Sequence, residues 1–283
     1  MEVKTLLKLM YITKDPKVAL IAEKAGVDRI FIDLEYIGKA LRQGGMDTVQ
    51  NRHTSRDVRK IKKVLTKSKL MVRVNPIHDM SIENKYKGTE LEIASVIRAG
   101  ADVVMLPYFK TADEVRRFVK AVKGKARTLL LFETPEALEN IDEILEVEGI
   151  DEVFIGLNDL SLGYGHKFMF KPLADGTVDK VIEKFKAKKL PYGFGGVASL
   201  GRGALPGEKV IAEHYRLGST CVILSRSFCN TSIIDNIDVI NMTFKNGIKE
   251  IREFERYCKK QEESFFKDNR KSVKKIVDEI CQG

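Results

Sequence analysis

The chain has 283 residues, of which 43% are hydrophobic and 31% charged, and its formal net charge is +9. The length suits one large domain, and the apolar fraction excludes a disordered chain. No run approaches 18 apolar residues, so we expect neither a transmembrane helix nor a membrane partner, and the first ten residues show no signal peptide. The four cysteines are widely spaced without a C-x-x-C motif, which favours a cytoplasmic location over a disulfide framework or a zinc site.

A short apolar run followed by an amphipathic stretch recurs along most of the chain, and this alternation predicts parallel strands joined by helices. The runs predict strands at 6–12, 29–34, 70–74, 102–106, 128–132, 152–156, 191–194 and 220–224. The amphipathic stretches predict helices at 15–25, 56–66, 89–98, 111–122, 135–145, 177–188 and 208–216. Eight such units favour an α/β fold of the (β/α)8 TIM-barrel type over an open sheet, and no G-x-G-x-x-G motif follows the first strand.

The C-terminal region has a different composition. Residues 230–283 are rich in Lys and Glu, lack strand signals and carry Ile248, Ile251 and Phe254 at helical spacing. We therefore divide the chain into a barrel domain over residues 1–229 and a helical C-terminal extension over residues 230–283. The extension is interpreted either as a helix that closes the bottom of the barrel or as a subunit contact, which would make the protein a homo-oligomer.

The positive charge is local. Residues 39–73 hold eleven Lys and Arg and two Asp, so the net charge of +9 lies in this one segment. The segment is either a solvated basic helix or a field that attracts an anionic ligand. It has no aromatic residues to stack on bases, so we expect no nucleic-acid partner. We predict that Arg42 and Arg52 lie at the barrel mouth, where replacing them raises KM, and that Lys60 and Lys63 lie on the outer wall.

Chemistry in a (β/α)8 barrel takes place at the C-terminal ends of the strands. Glu133 and Asp159 follow two neighbouring predicted strands, and such a pair of carboxylates either holds a divalent ion or caps helices. Arg73 lies on an apolar strand, where burial requires a partner. It either pairs with Asp33 or Glu35, or faces a developing enolate or a carboxylate. A glycine-rich loop over residues 193–203 is a further candidate for binding an anion.

Five segments together carry a resemblance to the HpcH/HpaI aldolase and citrate lyase family of metal-dependent carbon–carbon lyases. They are Phe31-Ile-Asp-Leu-Glu35, Val72-Arg-Val-Asn-Pro76, Val104-Met-Leu-Pro107, Leu131-Phe-Glu-Thr-Pro-Glu-Ala-Leu138 and Ile155-Gly-Leu-Asn-Asp-Leu160. The resemblance spans about residues 6–228 and implies a (β/α)8 barrel, oligomeric in most members of the family.

The resemblance also implies site roles. Glu133 and Asp159 match the family's ligands for Mg²⁺, Mn²⁺ or Co²⁺, with Mg²⁺ favoured here. Arg73 matches the arginine that steadies the enolate oxygen, and Asp33 matches an active-site aspartate. The backbone amides of the segment that contains Gly156, Leu157, Asn158 and Asp159 correspond to those that hold the pyruvate carboxylate.

Two positions depart from the family pattern. Aldolases of the family usually carry a histidine after Asp-x-Glu, where this chain has Tyr36, and often a glutamine where it has Leu131. Tyr36 is our candidate for the catalytic position, although a Tyr has a reference pKa near ~10 and is a poorer base at neutral pH than His. His53 and His78, both in predicted loops, are the alternatives, together with metal-bound water.

These observations favour a metal-dependent lyase or aldolase that cleaves or forms a hydroxy-2-oxo acid through a pyruvate enolate. The expected partner is a small anionic substrate. A first alternative is phosphoenolpyruvate or acyl-CoA chemistry in the same site, with Arg202 and Arg226 binding phosphate. A second alternative is a non-catalytic barrel that binds an anionic metabolite.

Overall fold

The structure, a computed structural model, describes residues 5–39 and 53–282. The predicted mouth residues Arg42 and Arg52 lie outside the described residues. The strands are β1 (Lys8–Ile12), β2 (Arg29–Asp33), β3 (Lys69–Arg73), β4 (Met80–Ser81), β5 (Tyr86–Lys87), β6 (Val103–Leu106), β7 (Arg127–Phe132), β8 (Glu152–Ile155), β9 (Tyr192–Val197) and β10 (Cys221–Leu224).

Eight of these strands form a closed barrel in the order β1-β10-β9-β8-β7-β6-β3-β2, and every pair is parallel. The predicted α/β barrel is therefore confirmed. The two remaining strands, β4 and β5, form an antiparallel hairpin in the loop after β3, which the sequence analysis did not predict.

The helices of the described residues follow the strands. They are α1 (Pro16–Ala25), α2 (Ser55–Val64), α3 (Thr89–Arg98), α4 (Ala112–Val122), α5 (Pro135–Glu139), α6 (Ile141–Leu145), α7 (Leu157–Gly163), α8 (Lys171–Ala174), α9 (Thr177–Ala187), α10 (Gly207–Leu217), α11 (Ile237–Lys259) and α12 (Glu263–Gln282). Local capping explains several starts: Asp15 accepts hydrogen bonds from the first turn of α1, where Pro16 occupies N1, and Thr111 and Glu114 form a capping box on α4.

Two predicted elements differ from the structure. The helix predicted at 135–145 is two short helices that meet at Asn140, whose φ of −92° and ψ of 11° are not helical. The loop predicted at 193–203 begins as strand, because β9 continues to Val197. The strand needs glycine at position 193, because a Cβ there would lie 2.7 Å from the Phe154 ring inside the barrel, too close for two carbon atoms.

Alternation along each strand divides the apolar core into a barrel interior and a layer between barrel and helices. On β2, Arg29, Phe31 and Asp33 share the inward face. Arg29 donates to both carboxylate oxygens of Glu152 at 2.7 Å and fills the N-terminal end of the interior. Phe31 packs in the apolar middle layer, and Asp33 therefore reaches the C-terminal mouth.

The C-terminal helices pack on the barrel. The region predicted as a helical extension, residues 230–283, contains α11 and α12, and α11 packs against α10 and α1. Near its end, Glu255 is fully buried and accepts from the backbone N–H of Leu7 at 2.7 Å. The last helix, α12, packs on α8 and α10. None of the helices within the described residues combines the length and the apolar character that a bilayer crossing needs.

Candidate active site

A cavity of about 970 Å³ opens at the C-terminal ends of the barrel strands. It is lined by both predicted metal ligands, Glu133 and Asp159, and by the predicted cation Arg73 with its neighbour Asp33. Residues 156–158 line the same cavity. Among the described residues, the predicted catalytic residue Tyr36 is not part of this lining.

Glu133 directly follows β7 and is 2% exposed. Its Oε1 accepts a hydrogen bond from the backbone N–H of Tyr108 at 3.0 Å. Tyr108 lies in the loop after β6 and has a φ of +50°, which is uncommon for a residue other than glycine. The unusual backbone of one loop therefore holds the carboxylate that ends the neighbouring strand.

Asp159 lies in the first turn of α7, which follows β8, and is 7% exposed. Its neighbour Gly156 faces Glu133 across adjacent strands. A Cβ built on Gly156 would lie 2.8 Å from both the Cβ and the Oε2 of Glu133, closer than atoms pack. The absence of a side chain at Gly156 therefore makes room for the Glu133 carboxylate.

Replacing Gly156 with Ala should displace Glu133 rather than unfold the barrel. We expect metal affinity to fall roughly 10- to 100-fold, as it does when other groups that position metal ligands are changed. Calorimetric titration with Mn²⁺ measures this. Gly165→Ala is the matched control, since no atom lies within 4 Å of a Cβ there, although its φ of +70° will cost some stability. Equal Mn²⁺ affinity in Gly156→Ala and the native protein would contradict the role of Gly156.

A buried cluster of alternating charges borders the carboxylate pair. Arg73 donates from Nε and Nη2 to the two oxygens of Asp33, both at 2.8 Å, and its Nη2 lies 3.3 Å from Oε2 of Glu35. Lys39 Nζ lies 2.7 Å from Asp33 and 3.4 Å from Glu35. The ion pair of Arg73 with these carboxylates, one of the two interpretations drawn from the sequence, is therefore present. Both cations also line the cavity.

The cluster shifts the pKa of Asp33. Burial alone would raise that pKa, but the charges and hydrogen bonds of Arg73 and Lys39 outweigh burial and hold it well below its ordinary value. The same carboxylates raise the pKa of Arg73, against the effect of its burial. Asp33 is therefore ionised throughout the physiological range.

Because its folded pKa is depressed, Asp33 contributes stability that is present above its unfolded pKa of about 4 and is lost as the pH falls toward the folded value. The difference in unfolding free energy between the native protein and Asp33→Asn should therefore be largest above ~pH 5 and shrink below ~pH 4. Urea unfolding at a series of pH values measures it. A difference that stays constant down to ~pH 3 would contradict the assigned shift.

The structure separates the two loop histidines. His53 lines the cavity, and its Nδ1 accepts a hydrogen bond from the backbone N–H of Asp33 at 3.0 Å. His78 is absent from the lining; its Nδ1 lies 2.8 Å from the carbonyl oxygen of Pro76, and its ring packs edge-on against Tyr86. Only His53 of the two can meet a ligand held at the mouth.

Tyr36 lies on the outer side of the same loop, where the residue is 58% exposed. The backbone N–H of Tyr36 donates a hydrogen bond to Oδ1 of Asn75 at 2.9 Å. The Tyr36 ring packs against the ring of Tyr86 with centroids 6.0 Å apart. This placement gives no support to the catalytic role predicted for Tyr36.

Tyr36→Phe should therefore change turnover by less than about twofold, since an exposed residue outside the cavity holds no reacting atom. The steady-state rate with saturating substrate and metal measures it. Loss of activity in Tyr36→Phe without loss of stability would show instead that the phenol reaches the substrate.

The rim of the cavity includes residues that the sequence analysis did not assign. Thr231, Ser232 and Asp235, from the loop between β10 and α11, line it together with Arg226. Arg202, the other predicted phosphate ligand, is exposed and is not part of the lining. The sequence feature that could have identified these residues is the polar run after the last strand. In a parallel barrel this run begins at the same end as every other site loop.

Of the basic segment, the described cations divide as predicted. Lys39 and Arg73 border the cavity, whereas Lys60 and Lys63 on α2 are exposed on the outer wall. Only part of the positive charge therefore reaches the site.

The fold is a closed (β/α)8 barrel with two carboxylates at its mouth, and comparison with known proteins identifies its family. Residues 8–182 match the family model described as HpcH/HpaI aldolase/citrate lyase. The chain belongs to this family. Aldolases of the family generally depend on a divalent metal ion.

Curated relatives include 2-keto-3-deoxy-L-rhamnonate aldolases. The protein of that name from Escherichia coli O17:K52:H18 is 30% identical over 161 residues, which cover 44% of this chain and 58% of the relative. The corresponding protein from Shigella sonnei is 29% identical over the same length. The match thus spans less than two thirds of the length of these relatives.

Solved structures share the fold. An HpcH/HpaI aldolase from Desulfitobacterium hafniense superimposes with a TM-score of 0.58 at 16% identity, covering 87% of this chain and 93% of that chain. The citrate synthase SbnG superimposes with a TM-score of 0.55 at 18% identity, covering 77% of this chain and 86% of that chain.

Proposed function

We propose that this protein is a divalent-metal-dependent carbon–carbon lyase that cleaves or forms a hydroxy-2-oxo acid through a pyruvate enolate. The observation that carries the proposal is the convergence of Glu133, Asp159 and Arg73 on one cavity at the C-terminal mouth of the barrel. The two buried carboxylates suit a metal cation, and the largely buried cation Arg73 suits a substrate that gains negative charge during the reaction.

The carboxylates fit a hard cation. Within residues 5–39 and 53–282, no group of three or more His, Cys, Asp or Glu side chains is arranged to hold a metal ion. Mg²⁺ often binds through one or two carboxylates together with water and substrate oxygens, so Glu133 and Asp159 are a sufficient protein contribution. Mg²⁺ is the favoured ion, and Mn²⁺ and Co²⁺ are alternatives. When bound, the ion acts as a Lewis acid toward the carbonyl of a 2-oxo acid.

Arg73 supplies fixed positive charge at the same mouth. Its Nε and Nη2 are held by Asp33, so the guanidinium is oriented before the substrate arrives. Such a preorganised donor stabilises an enolate oxygen as its charge develops. The amides of Leu157 and Asn158, at the start of α7, are proposed to bind the substrate carboxylate.

Metal removal tests the proposal. The purified protein, treated with a chelator, should lose pyruvate-releasing activity toward hydroxy-2-oxo acids and regain it with Mg²⁺ or Mn²⁺. Persistence of the activity after metal removal would overturn the metal-dependent mechanism. Metal binding without any turnover would favour the non-catalytic, metabolite-binding alternative.

One observation favours a phosphorylated substrate as a second candidate: Arg226 lines the cavity. In that case inorganic phosphate should inhibit competitively, and indifference to phosphate would remove this candidate.

We also propose that the protein is a cytoplasmic homo-oligomer, which light scattering of the purified chain and imaging of the tagged chain in cells would test.

A further inference from the structure

His53 occupies the half of the mouth that faces the predicted metal ligands. Asp33, whose N–H it binds, ends β2, whereas Asp159 follows β8, four strands away around the barrel in either direction. The enolate, held near Glu133 and Asp159, must therefore meet its reaction partner on the side where His53 lies. Thr13, Thr231 and Ser232 also line the cavity.

The hydrogen bond to Asp33 determines the tautomer of His53. A backbone N–H can only donate, so Nδ1 must present its lone pair, and the neutral ring carries its proton on Nε2. In a charged imidazolium Nδ1 would also carry a proton, and its N–H would then face the backbone N–H of Asp33 with the two nitrogens 3.0 Å apart. His53 therefore meets a ligand as a neutral hydrogen-bond donor and is poorly suited to accept a proton.

The groups around His53 also favour its neutral form. Burial, the largest effect, lowers the pKa of His53, and the charges of Lys14 and Lys39 lower it further. Asp33 and Asp57 oppose this shift without reversing it. The ring is therefore uncharged at neutral pH. Triosephosphate isomerase uses a neutral histidine as a donor to a substrate carbonyl in a similar way.

We propose that His53 is a catalytic residue that donates a hydrogen bond from its Nε2–H to the aldehyde oxygen of the second substrate, and that it does not transfer this proton. This role rests on the proposed lyase function. In the forming direction, the enolate carbon attacks the aldehyde carbon, the carbonyl π electrons move to oxygen, and Nε2–H stabilises the alkoxide until water protonates it. In cleavage, water removes the hydroxyl proton, the electrons of the alkoxide re-form the aldehyde carbonyl, and the C–C bonding electrons return to the enolate.

Two assays separate this step from the rest of the reaction. Exchange of the pyruvate methyl protons in D₂O needs the enolate but no aldehyde, whereas consumption of glycolaldehyde or glyceraldehyde with pyruvate needs both. We expect His53→Ala to slow aldehyde consumption about 100-fold, the effect of losing one preorganised oxyanion donor, and to slow exchange far less. His78→Gln is the matched control and should leave both rates unchanged.

The variant His53→Gln distinguishes a donor from a proton carrier, since its amide retains an N–H but cannot titrate. We expect it to recover most of the rate lost in His53→Ala. Histidine ¹⁵N spectra of the native protein should show His53 as the Nε2–H tautomer at about pH 7 to 8.

Three results would overturn the proposal: equal slowing of both assays in His53→Ala, no recovery in His53→Gln, or exchange by the native protein without consumption of either aldehyde. Absence of exchange in the native protein would instead refute the proposed lyase function.

Discussion

Glu133→Gln should lower kcat/KM by about 1,000-fold or more while the barrel remains folded. The substitution preserves the size of the side chain but removes one of the two carboxylate charges at the proposed metal site. A Lewis-acid contribution of several kcal/mol to the transition state corresponds to a rate factor of this order. Pyruvate release in the presence of Mg²⁺ measures the rate, and calorimetric titration measures the accompanying loss of metal affinity.

The matched control is Glu136→Gln, three residues further along the chain. The Glu136 side chain is 44% exposed and pairs with Lys110, so removing its charge should change neither metal binding nor rate by more than about twofold. Native activity in Glu133→Gln would remove Glu133 from the mechanism, and equal losses in both variants would indicate a general loss of structure.

Arg73→Met should have the second large effect, and on stability as well as activity. Removing this cation leaves the buried carboxylates of Asp33 and Glu35 with Lys39 alone among the charged partners described here. Breaking a buried ion pair by deleting one partner costs on the order of 3–5 kcal/mol. Urea unfolding measures the loss, and Arg116→Met, which removes an exposed cation from Asp113 and Glu143, should cost far less.

Because the instability expected of Arg73→Met would complicate its assay, Arg73→Lys is the variant that isolates the chemical role. Lysine keeps the charge but cannot reproduce the two parallel hydrogen bonds to Asp33. We expect kcat to fall at least about tenfold while KM for pyruvate changes less, as expected when an interaction made in the transition state is lost. A change confined to KM would assign Arg73 to substrate binding alone.

The barrel could be predicted because its signals are local. Each strand is a run of apolar residues that must be buried on both faces, and each helix has one apolar face, so the alternation is visible in the sequence. The bounds of α3 agree with those predicted, and the start of α1 follows from Asp15 and Pro16. The depth order on β2, with Arg29 below Phe31 and Asp33, follows from strand alternation.

The site was only partly predictable, since its remaining features depend on contacts between distant segments. The positive φ of Tyr108 and the hydrogen bond that it directs to Glu133 have no sequence signal beyond the motif that ends β6. The backbone of Tyr36 is held by a hydrogen bond from its N–H to the side-chain oxygen of Asn75, which lies on another loop. The sequence likewise placed His53 and His78 on equal terms, because only the fold decides which of the two reaches the cavity.

The most direct test of the central claim is deuterium exchange into the methyl group of pyruvate, followed by NMR, because it requires no knowledge of the aldehyde. The native protein with Mg²⁺ or Mn²⁺ should catalyse exchange, the chelated protein should not, and both Glu133→Gln and Asp159→Asn should be close to the uncatalysed rate. Exchange that persists in both variants, or that fails in the native metal-loaded protein, would contradict an enolate-forming, metal-dependent site at the mouth of this barrel.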